Sequence, residues 1–215
     1  MNLKKIKCVI VDFDETLYSY GDSSVEEYED YLVEKNLLPE IPDKYEKSKY
    51  LKKIYPNYHS IKAIFAYLND NGYDETGFRE FYNNVMWDIR TKDTVFINPK
   101  IIKELSKHYP VYIVSDSSKI YLEFYLKEAK IDKSWFSGIY SNTYDDETYS
   151  KIPVMKRVLT ETGLKPNEII MIGDSENSDI KPAKLLGFQT RHIKSVFETT
   201  DILQELTNLK SPKTI

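Results

Sequence analysis

The sequence has few of the residues that build covalent or metal cross-links. It contains one cysteine, Cys8, so an intrachain disulfide cannot form. Cys8 begins an apolar run, which is typical of a small buried side chain rather than of a reactive thiol. The three histidines (His59, His108 and His192) lack the spacing of metal ligands, and this argues against a zinc site built on them.

Long apolar runs and an excess of positive charge are also missing. No segment approaches the roughly 20 apolar residues of a transmembrane helix. The basic N-terminal segment is followed by only CVIV before Asp12, which is too short for an export signal. We therefore expect a cytoplasmic protein that does not associate with membranes. The formal net charge of -4 argues against a nucleic acid polymer as the main partner.

Five short segments rich in Val, Ile, Tyr or Phe alternate with amphipathic helical patterns. A chain of 215 residues can form one large domain, or a domain with a smaller insertion. The alternation predicts a doubly wound, Rossmann-like α/β fold with a parallel sheet. The predicted strands are 7–13, 111–116, 137–141, 168–174 and 188–193. The predicted helices are 99–108, 117–129, 150–162, 177–186 and 199–209.

One long stretch interrupts the alternation. After Tyr18 no strand pattern is evident until about Val111, and three or four helical patterns lie between them. We interpret residues 19–92 as a helical subdomain inserted into an α/β core formed by residues 1–18 and 93–215. The aromatic residues at helical spacing in this insertion favour a core of its own over a ligand site.

Polar residues follow the predicted strands at their carboxyl ends. In an open parallel sheet these ends meet at one rim, where ligands bind. The residues expected at the rim are Asp12, Asp14 and Thr16 after the first strand, Ser115 and Asp116 after the second, Lys151 at a helix start, and Asp174 and Asp179 after the fourth strand. Taken singly, Ser115 could be a helix N-cap and Lys151 a surface lysine, but their joint occurrence favours a site.

Four segments in this order resemble the motifs of the haloacid dehalogenase-like (HAD) hydrolases. DFDET (12–16) resembles their DxDxT motif, and GDSENSD (173–179) resembles the acidic fourth motif. Ser115 and Lys151 correspond to the second and third motifs, and the helical insertion resembles the cap of many members. The resemblance implies a phosphatase that uses Mg²⁺ to hydrolyse a small phosphorylated metabolite.

The resemblance also implies a role for each residue at the rim. Asp12 would be the nucleophile that forms an aspartyl-phosphate, and Asp14 the general acid and base. Ser115 and Lys151 would bind the phosphate, assisted by the backbone N–H near Asp116. Thr16 could contribute to phosphate binding or simply cap the turn after the strand.

The implied magnesium ligands are carboxylates and one main-chain carbonyl. They are Asp12, Asp174 and the carbonyl oxygen of Asp14, which suit an ion that prefers oxygen donors. Asp179 would be either a further ligand or a partner that orients Lys151. Asp116 places an additional carboxylate beside the phosphate, and we expect its side chain to face outwards or towards the leaving group.

Several alternatives remain open at this point. Phosphomutases and phosphonate hydrolases of the same family use the same core residues. A metal-independent 2-haloacid dehalogenase needs neither the second aspartate nor a metal, so Asp14 and Asp174 argue against it. Outside the family, a non-catalytic receiver-like phospho-aspartate signalling domain gathers similar residues, but it is shorter and lacks the insertion. DFDETLY also resembles the first motif of pyrimidine 5′-nucleotidase-like members, while the oligomeric state is not predicted.

Overall fold

The computed structural model describes most of one unit of the chain and part of a second. The described residues are 3–19, 95–117, 119–141 and 150–210, with 51, 53–54, 60–74 and 76–77. One compact unit comprises Met1–Ser19 and Val95–Ile215, and the other comprises Tyr20–Thr94.

The first unit contains a parallel five-stranded sheet, as the alternating pattern predicts. The described strands are β1 (Cys8–Val11), β2 (Tyr18–Ser19), β3 (Val95–Phe96), β4 (Val111–Val114), β5 (Gly138–Tyr140), β6 (Ile169–Gly173) and β7 (Gln189–His192). The sheet has the order β5-β4-β1-β6-β7, and all neighbouring pairs are parallel. The prediction of a doubly wound α/β fold is therefore confirmed, and each predicted strand ends within two residues of an observed one.

The central strand β1 is buried on both faces. Val11 pairs with Ile113 of β4 on one side and with Ile172 of β6 on the other. All residues of these three strands are buried, which explains why their sequences are apolar without polar alternation. Ile10 lies in a core cluster with Met171, among other residues from the helices and strands around it.

The helices largely follow the predicted segments. They are α1 (Ser60–Asp70) in the second unit, and α2 (Pro99–Ser106), α3 (Lys119–Glu128), α4 (Ile152–Thr162), α5 (Lys181–Leu185) and α6 (Val196–Lys210) in the first. Asn98 caps α2, because its side chain accepts a hydrogen bond from the Lys100 backbone N–H.

The predicted helix 177–186 is wrong in its first half. Glu176–Ile180 forms a π-helical turn, and the α-helical geometry begins only at Lys181. The wider turn accompanies the inward placement of the Asp179 side chain, and π turns of this kind occur frequently at functional sites. Pro182 falls in the first turn of α5.

A second correction concerns the stretch between Tyr18 and Val111, for which the sequence predicts no strand. The strands β2 and β3 pair antiparallel there, with Tyr18 opposite Phe96 and Ser19 opposite Val95. Each strand is only two residues long, so neither carries a periodic pattern that sequence analysis could detect.

The second unit is described mainly through α1. Ile64, Tyr67 and Leu68 of this helix are buried, in agreement with an apolar core at helical spacing. The other predicted cap helices fall largely or wholly outside the described residues. In the described part of the chain, no helix combines the length and apolarity needed to cross a membrane.

Replacing Ile10 with Ala should lower the free energy of unfolding by about 2–5 kcal/mol, because the truncation leaves a cavity in the centre of the sheet. Urea denaturation followed by circular dichroism would measure the change. Leu185→Ala is the control, since this side chain is 78% exposed and should change stability by less than about 0.5 kcal/mol. Equal losses in the two variants would contradict the central position of Ile10.

Candidate active site

Three strands, β1, β4 and β6, deliver polar residues to the carboxyl edge of the sheet, and the residue that follows β6 is Asp174. Asp12 directly follows β1, and its backbone N–H donates to Ile172 O of β6 at 2.9 Å. Ser115 directly follows β4, and its backbone N–H donates to Tyr140 O of β5 at 2.9 Å. Both residues therefore continue the ladder of the sheet, which fixes their backbones at the rim.

A buried lysine joins two of the predicted site residues. Lys151 Nζ lies 2.6 Å from Asp12 Oδ1 and 2.6 Å from Asp179 Oδ1. The Lys151 side chain is only 2% exposed, so its charge depends on these two carboxylates for compensation. Lys151 stands immediately before α4, at the helix start that the sequence indicated.

The position of Asp179 requires a glycine beneath it. A Cβ atom at Gly173 would lie 2.4 Å from Asp179 Oδ2, far inside van der Waals contact. The same Oδ2 accepts a hydrogen bond of 3.0 Å from the Ser175 backbone N–H. Both oxygens of Asp179 are thus engaged, one by Lys151 and the other by the backbone that follows β6.

Three carboxylates gather around the buried ammonium. Asp12, Asp174 and Asp179 each offer one ligand atom, and these atoms all lie within 4.8 Å of one another. Asp174 is held partly through its main chain, because its carbonyl oxygen lies 2.7 Å from His192 Nε2. Carboxylate oxygens at this spacing are a suitable donor set for a hard divalent cation.

The excess of negative charge is visible in the acid–base properties of the cluster. Burial raises the pKa of Asp12 well above its usual value, and Asp179, Asp174 and Asp14 raise it further against the opposing effect of Lys151. Burial, assisted by the Asp179 charge, also raises the pKa of Asp174 to about 6. Burial likewise raises the pKa of Asp179. Burial, with a smaller contribution from neighbouring carboxylate charges, therefore outweighs the effect of the Lys151 ammonium on the pKa values of Asp12 and Asp174.

The pKa of Lys151 is also raised, but for a different reason. Burial alone would lower the pKa of Lys151, but the charges of Asp12 and Asp179 outweigh burial and raise it. The half-buried carboxylate of Asp116 also raises the pKa of Lys151, so Asp116 interacts electrostatically with the site. The sequence-based expectation that Asp116 faces outwards or towards the leaving group stays a prediction.

Within the described part of the chain, Asp14 accepts side-chain hydrogen bonds from hydroxyl groups. The Tyr18 hydroxyl donates to Asp14 Oδ1, and the Ser117 hydroxyl donates to Oδ2 at 2.5 Å. Ser115 Oγ lies 3.4 Å from the same Oδ2, which is a long contact. Asp14 thus lies at the β4 side of the rim, where its carboxylate accepts from neutral hydroxyls.

The other two predicted residues, Ser115 and Thr16, are both fully buried but differ in their hydrogen bonding. Ser115 is fully buried, and its Oγ accepts a hydrogen bond of 3.0 Å from the Ser117 backbone N–H, as a residue near a helix start does. Thr16 is also fully buried, and its hydroxyl has no hydrogen-bond partner within the described part of the chain.

Neither Tyr18 nor Ser117 is predicted as a site residue from the sequence. Tyr18 belongs to the nucleotidase-like DFDETLY segment, and Ser117 begins the predicted helix 117–129. The one signal available was spacing, since Tyr18 stands four residues after Asp14 and Ser117 two residues after Ser115.

Comparison with solved structures supports the fold. The chain is similar to the putative HAD-hydrolase YfnB from Bacillus subtilis bound to magnesium (18% identity, 93% of this chain and 99% of that chain covered, TM-score 0.61). It is also similar to a HAD phosphatase from Thermococcus onnurineus (19% identity, 92% of this chain and 98% of that chain covered, TM-score 0.60). A third similar structure is a HAD family enzyme from Bacteroides thetaiotaomicron in complex with magnesium and inorganic phosphate (17% identity, 88% of this chain and 95% of that chain covered, TM-score 0.52).

Comparison at the level of sequence identifies the family. No curated protein sequence matches the chain significantly. The model of the haloacid dehalogenase-like hydrolase family, however, matches residues 6–187, a range that includes all eight residues expected at the rim. Nothing in that match separates out the pyrimidine nucleotidase-like members, so this finer resemblance stays a prediction. The match spans most of the sequence, and the chain belongs to the haloacid dehalogenase-like hydrolases.

Proposed function

We propose that this hydrolase is a magnesium-dependent phosphatase that acts on a small phosphate monoester through an aspartyl-phosphate intermediate. The observation that carries the proposal is the contact of buried Lys151 with Asp12 beside the carboxylates of Asp174 and Asp179. Two similar structures contain magnesium, and one of them also contains inorganic phosphate.

Positive charge is the main requirement of this reaction. A phosphate monoester is a dianion at neutral pH, and it repels an approaching carboxylate. Two unit charges about 4 Å apart interact by roughly 4 kcal/mol at an effective dielectric constant near 20. Lys151 Nζ, at 2.6 Å from Asp12 Oδ1, is placed to reduce this repulsion while it holds the carboxylate at the rim.

The residues present fit a magnesium ion. Three carboxylates face a single ammonium, and burial together with the neighbouring carboxylate charges raises the pKa values of Asp12 and Asp174. Asp12, Asp174 and the main-chain carbonyl of Asp14 would hold the ion, and Asp179 would orient Lys151, since both of its oxygens are already engaged. When bound, the ion supplies a Lewis acid that neutralises charge on the phosphoryl oxygens.

The proposed reaction has two steps that share the same groups. An oxygen of Asp12 attacks phosphorus, the bond to the ester oxygen breaks, and protonated Asp14 gives its proton to the leaving oxygen. Water then attacks phosphorus and gives a proton to Asp14 as the bond to Asp12 breaks. Orthophosphate leaves, and both aspartates return to their starting states, while Ser115 and Lys151 bind the phosphoryl oxygens.

The alternatives differ in product or in the groups they need. A 2-haloacid dehalogenase needs no second aspartate and no metal, whereas here Asp14 is at the rim and Asp174 is in the carboxylate cluster. A phosphomutase would return an isomeric phosphate ester, and a phosphonate hydrolase would cleave a carbon–phosphorus bond. We assign the choice of substrate to the cap, residues 19–92, because the core residues handle only the phosphoryl group.

Replacing Asp12 with Asn should abolish the hydrolysis of 4-nitrophenyl phosphate, by at least about 10³-fold in kcat, because the variant lacks the nucleophile. Addition of EDTA to the unaltered chain should have a comparable effect, and excess Mg²⁺ should reverse it. Asp201→Asn, an exposed change on α6, is the control and should retain activity. Activity that survives both EDTA and the Asp12 change would rule out the mechanism.

Replacing Asp14 with Asn should slow turnover about 10²–10⁴-fold, because both proton transfers lose their acid and base. 4-Nitrophenolate is a good leaving group that needs little protonation, so the first step should survive better than the second. Stopped-flow absorbance should therefore show a burst of 4-nitrophenolate, and mass spectrometry should show phosphorylated protein. Wild-type turnover without a burst would contradict this role of Asp14.

Mg²⁺ should raise the Tm of the chain, because a ligand that binds only the folded state stabilises it, by about 2.7 kcal/mol at 100 times its Kd. Asp174→Asn should lose most of this shift, whereas Asp201→Asn should keep it. Differential scanning fluorimetry with NaCl at matched ionic strength separates a specific site from general screening. An equal shift in the two variants would place the ion elsewhere.

A further inference from the structure

We propose that Tyr18, acting with Ser117, is a positioning residue that holds the Asp14 carboxyl group in the orientation needed for proton transfer to the leaving oxygen. The inference rests on the proposed phosphatase function, in which Asp14 is the general acid and base. It adds two residues that lie outside the motif positions from which the reaction was inferred.

The two hydroxyls engage the two oxygens of Asp14 separately. Tyr18 donates to Oδ1, and Ser117 donates to Oδ2. A carboxyl group held at both oxygens cannot rotate about its terminal bond without losing at least one hydrogen bond. The pair therefore restricts both the position and the plane of the Asp14 carboxyl group, which is what a directed proton transfer requires.

The Tyr18 hydroxyl is itself fixed by the packing of its ring. Tyr18 is 1% exposed, and its ring stacks on Tyr125 with centroids 4.6 Å apart and planes 3° apart. Phe13 meets the same ring edge-on at 4.9 Å, and Phe96 of the paired strand lies 6.3 Å away. Aromatic contacts on several sides leave the hydroxyl little freedom, so Tyr18 can serve as a rigid support for Asp14.

The backbone between Asp14 and Tyr18 turns so that the two side chains meet. The Leu17 backbone N–H donates to Phe13 O at 2.9 Å, and Glu15 adopts a left-handed conformation with φ of 52°. This tight turn folds the chain back after Asp14, so the side chain four residues later reaches the carboxyl group. Pairing of β2 with β3 then holds the backbone of Tyr18 in place.

Ser115 is a weaker candidate for the same task. Its Oγ is 3.4 Å from Asp14 Oδ2, and in the proposed mechanism this hydroxyl binds a phosphoryl oxygen instead. Ser117 is closer to Asp14, and its backbone N–H donates to Ser115 Oγ at 3.0 Å. Tyr18 and Ser117 can therefore keep their contacts with Asp14 while Ser115 turns to the substrate.

The test compares two esters that differ in their need for a general acid. Phenyl phosphate releases a more basic leaving group than 4-nitrophenyl phosphate, so its cleavage depends more on Asp14. Tyr18→Phe removes only the hydroxyl and keeps the ring. It should lower the ratio of kcat/KM for phenyl phosphate to that for 4-nitrophenyl phosphate about 10-fold or more, with KM nearly unchanged, because part of the general-acid contribution is lost.

A matched control and a conservative rescue separate positioning from general destabilisation. Tyr109 is also a buried tyrosine, and it does not lie at the rim. Its hydroxyl donates a hydrogen bond of 3.0 Å to Leu206 O. Tyr109→Phe should leave the ratio of the two esters unchanged. Ser117→Ala should lower the ratio, and Ser117→Thr, which keeps a hydroxyl, should restore it at least in part.

The outcomes distinguish this inference from the proposed function. A wild-type chain that hydrolyses neither ester would overturn the phosphatase proposal. The inference about Tyr18 fails if Tyr18→Phe slows both esters by the same factor, or leaves both rates unchanged. It also fails if crystal structures of wild type and Tyr18→Phe show the Asp14 carboxyl group in the same pose. An altered pose in the variant supports it.

Discussion

The contact of the Lys151 ammonium with Asp12 and Asp179 is the interaction on which the rim depends. Removing an ammonium from water costs several kcal/mol, and only close carboxylates at good geometry offset this cost. Here two carboxylate oxygens lie 2.6 Å from Nζ, one after β1 and one in the turn that follows β6. The start of α4 and the ends of two strands must therefore meet for this charge to be buried.

The same contact explains why the backbone after β6 is irregular. Asp179 must present one oxygen to Lys151 and the other to the Ser175 N–H, directly above a strand end. A regular α-helix does not start at this point; a π turn does, and Gly173 leaves the space that the carboxyl group fills. A single electrostatic requirement thus accounts for a helix deviation and for a glycine that admits no side chain.

The sequence predicts those parts of the structure that depend on periodicity and on strand ends. The five parallel strands, and the presence of Asp12 and Ser115 at one edge, follow from apolar runs that stop at polar residues, whereas Lys151 follows from a predicted helix start. Other features depend on contacts that no local pattern reports. The strands β2 and β3 are too short to show a period, and the Tyr18 hydroxyl reaches Asp14 only because of a left-handed turn at Glu15.

Asp12 and Asp14 stand two residues apart, yet their surroundings fit them for different tasks. Asp12 is buried against the Lys151 ammonium, which opposes the rise in the Asp12 pKa that burial causes and so favours the carboxylate form that attacks phosphorus in the proposed mechanism. Asp14 accepts from the hydroxyls of Tyr18 and Ser117, and a hydroxyl can turn from donor to acceptor when the carboxyl group gains a proton. A fixed ammonium could not reverse its role in this way. Two identical side chains therefore divide the proposed chemistry, because the nucleophile Asp12 contacts an ammonium and the proton carrier Asp14 accepts hydrogen bonds from two hydroxyls.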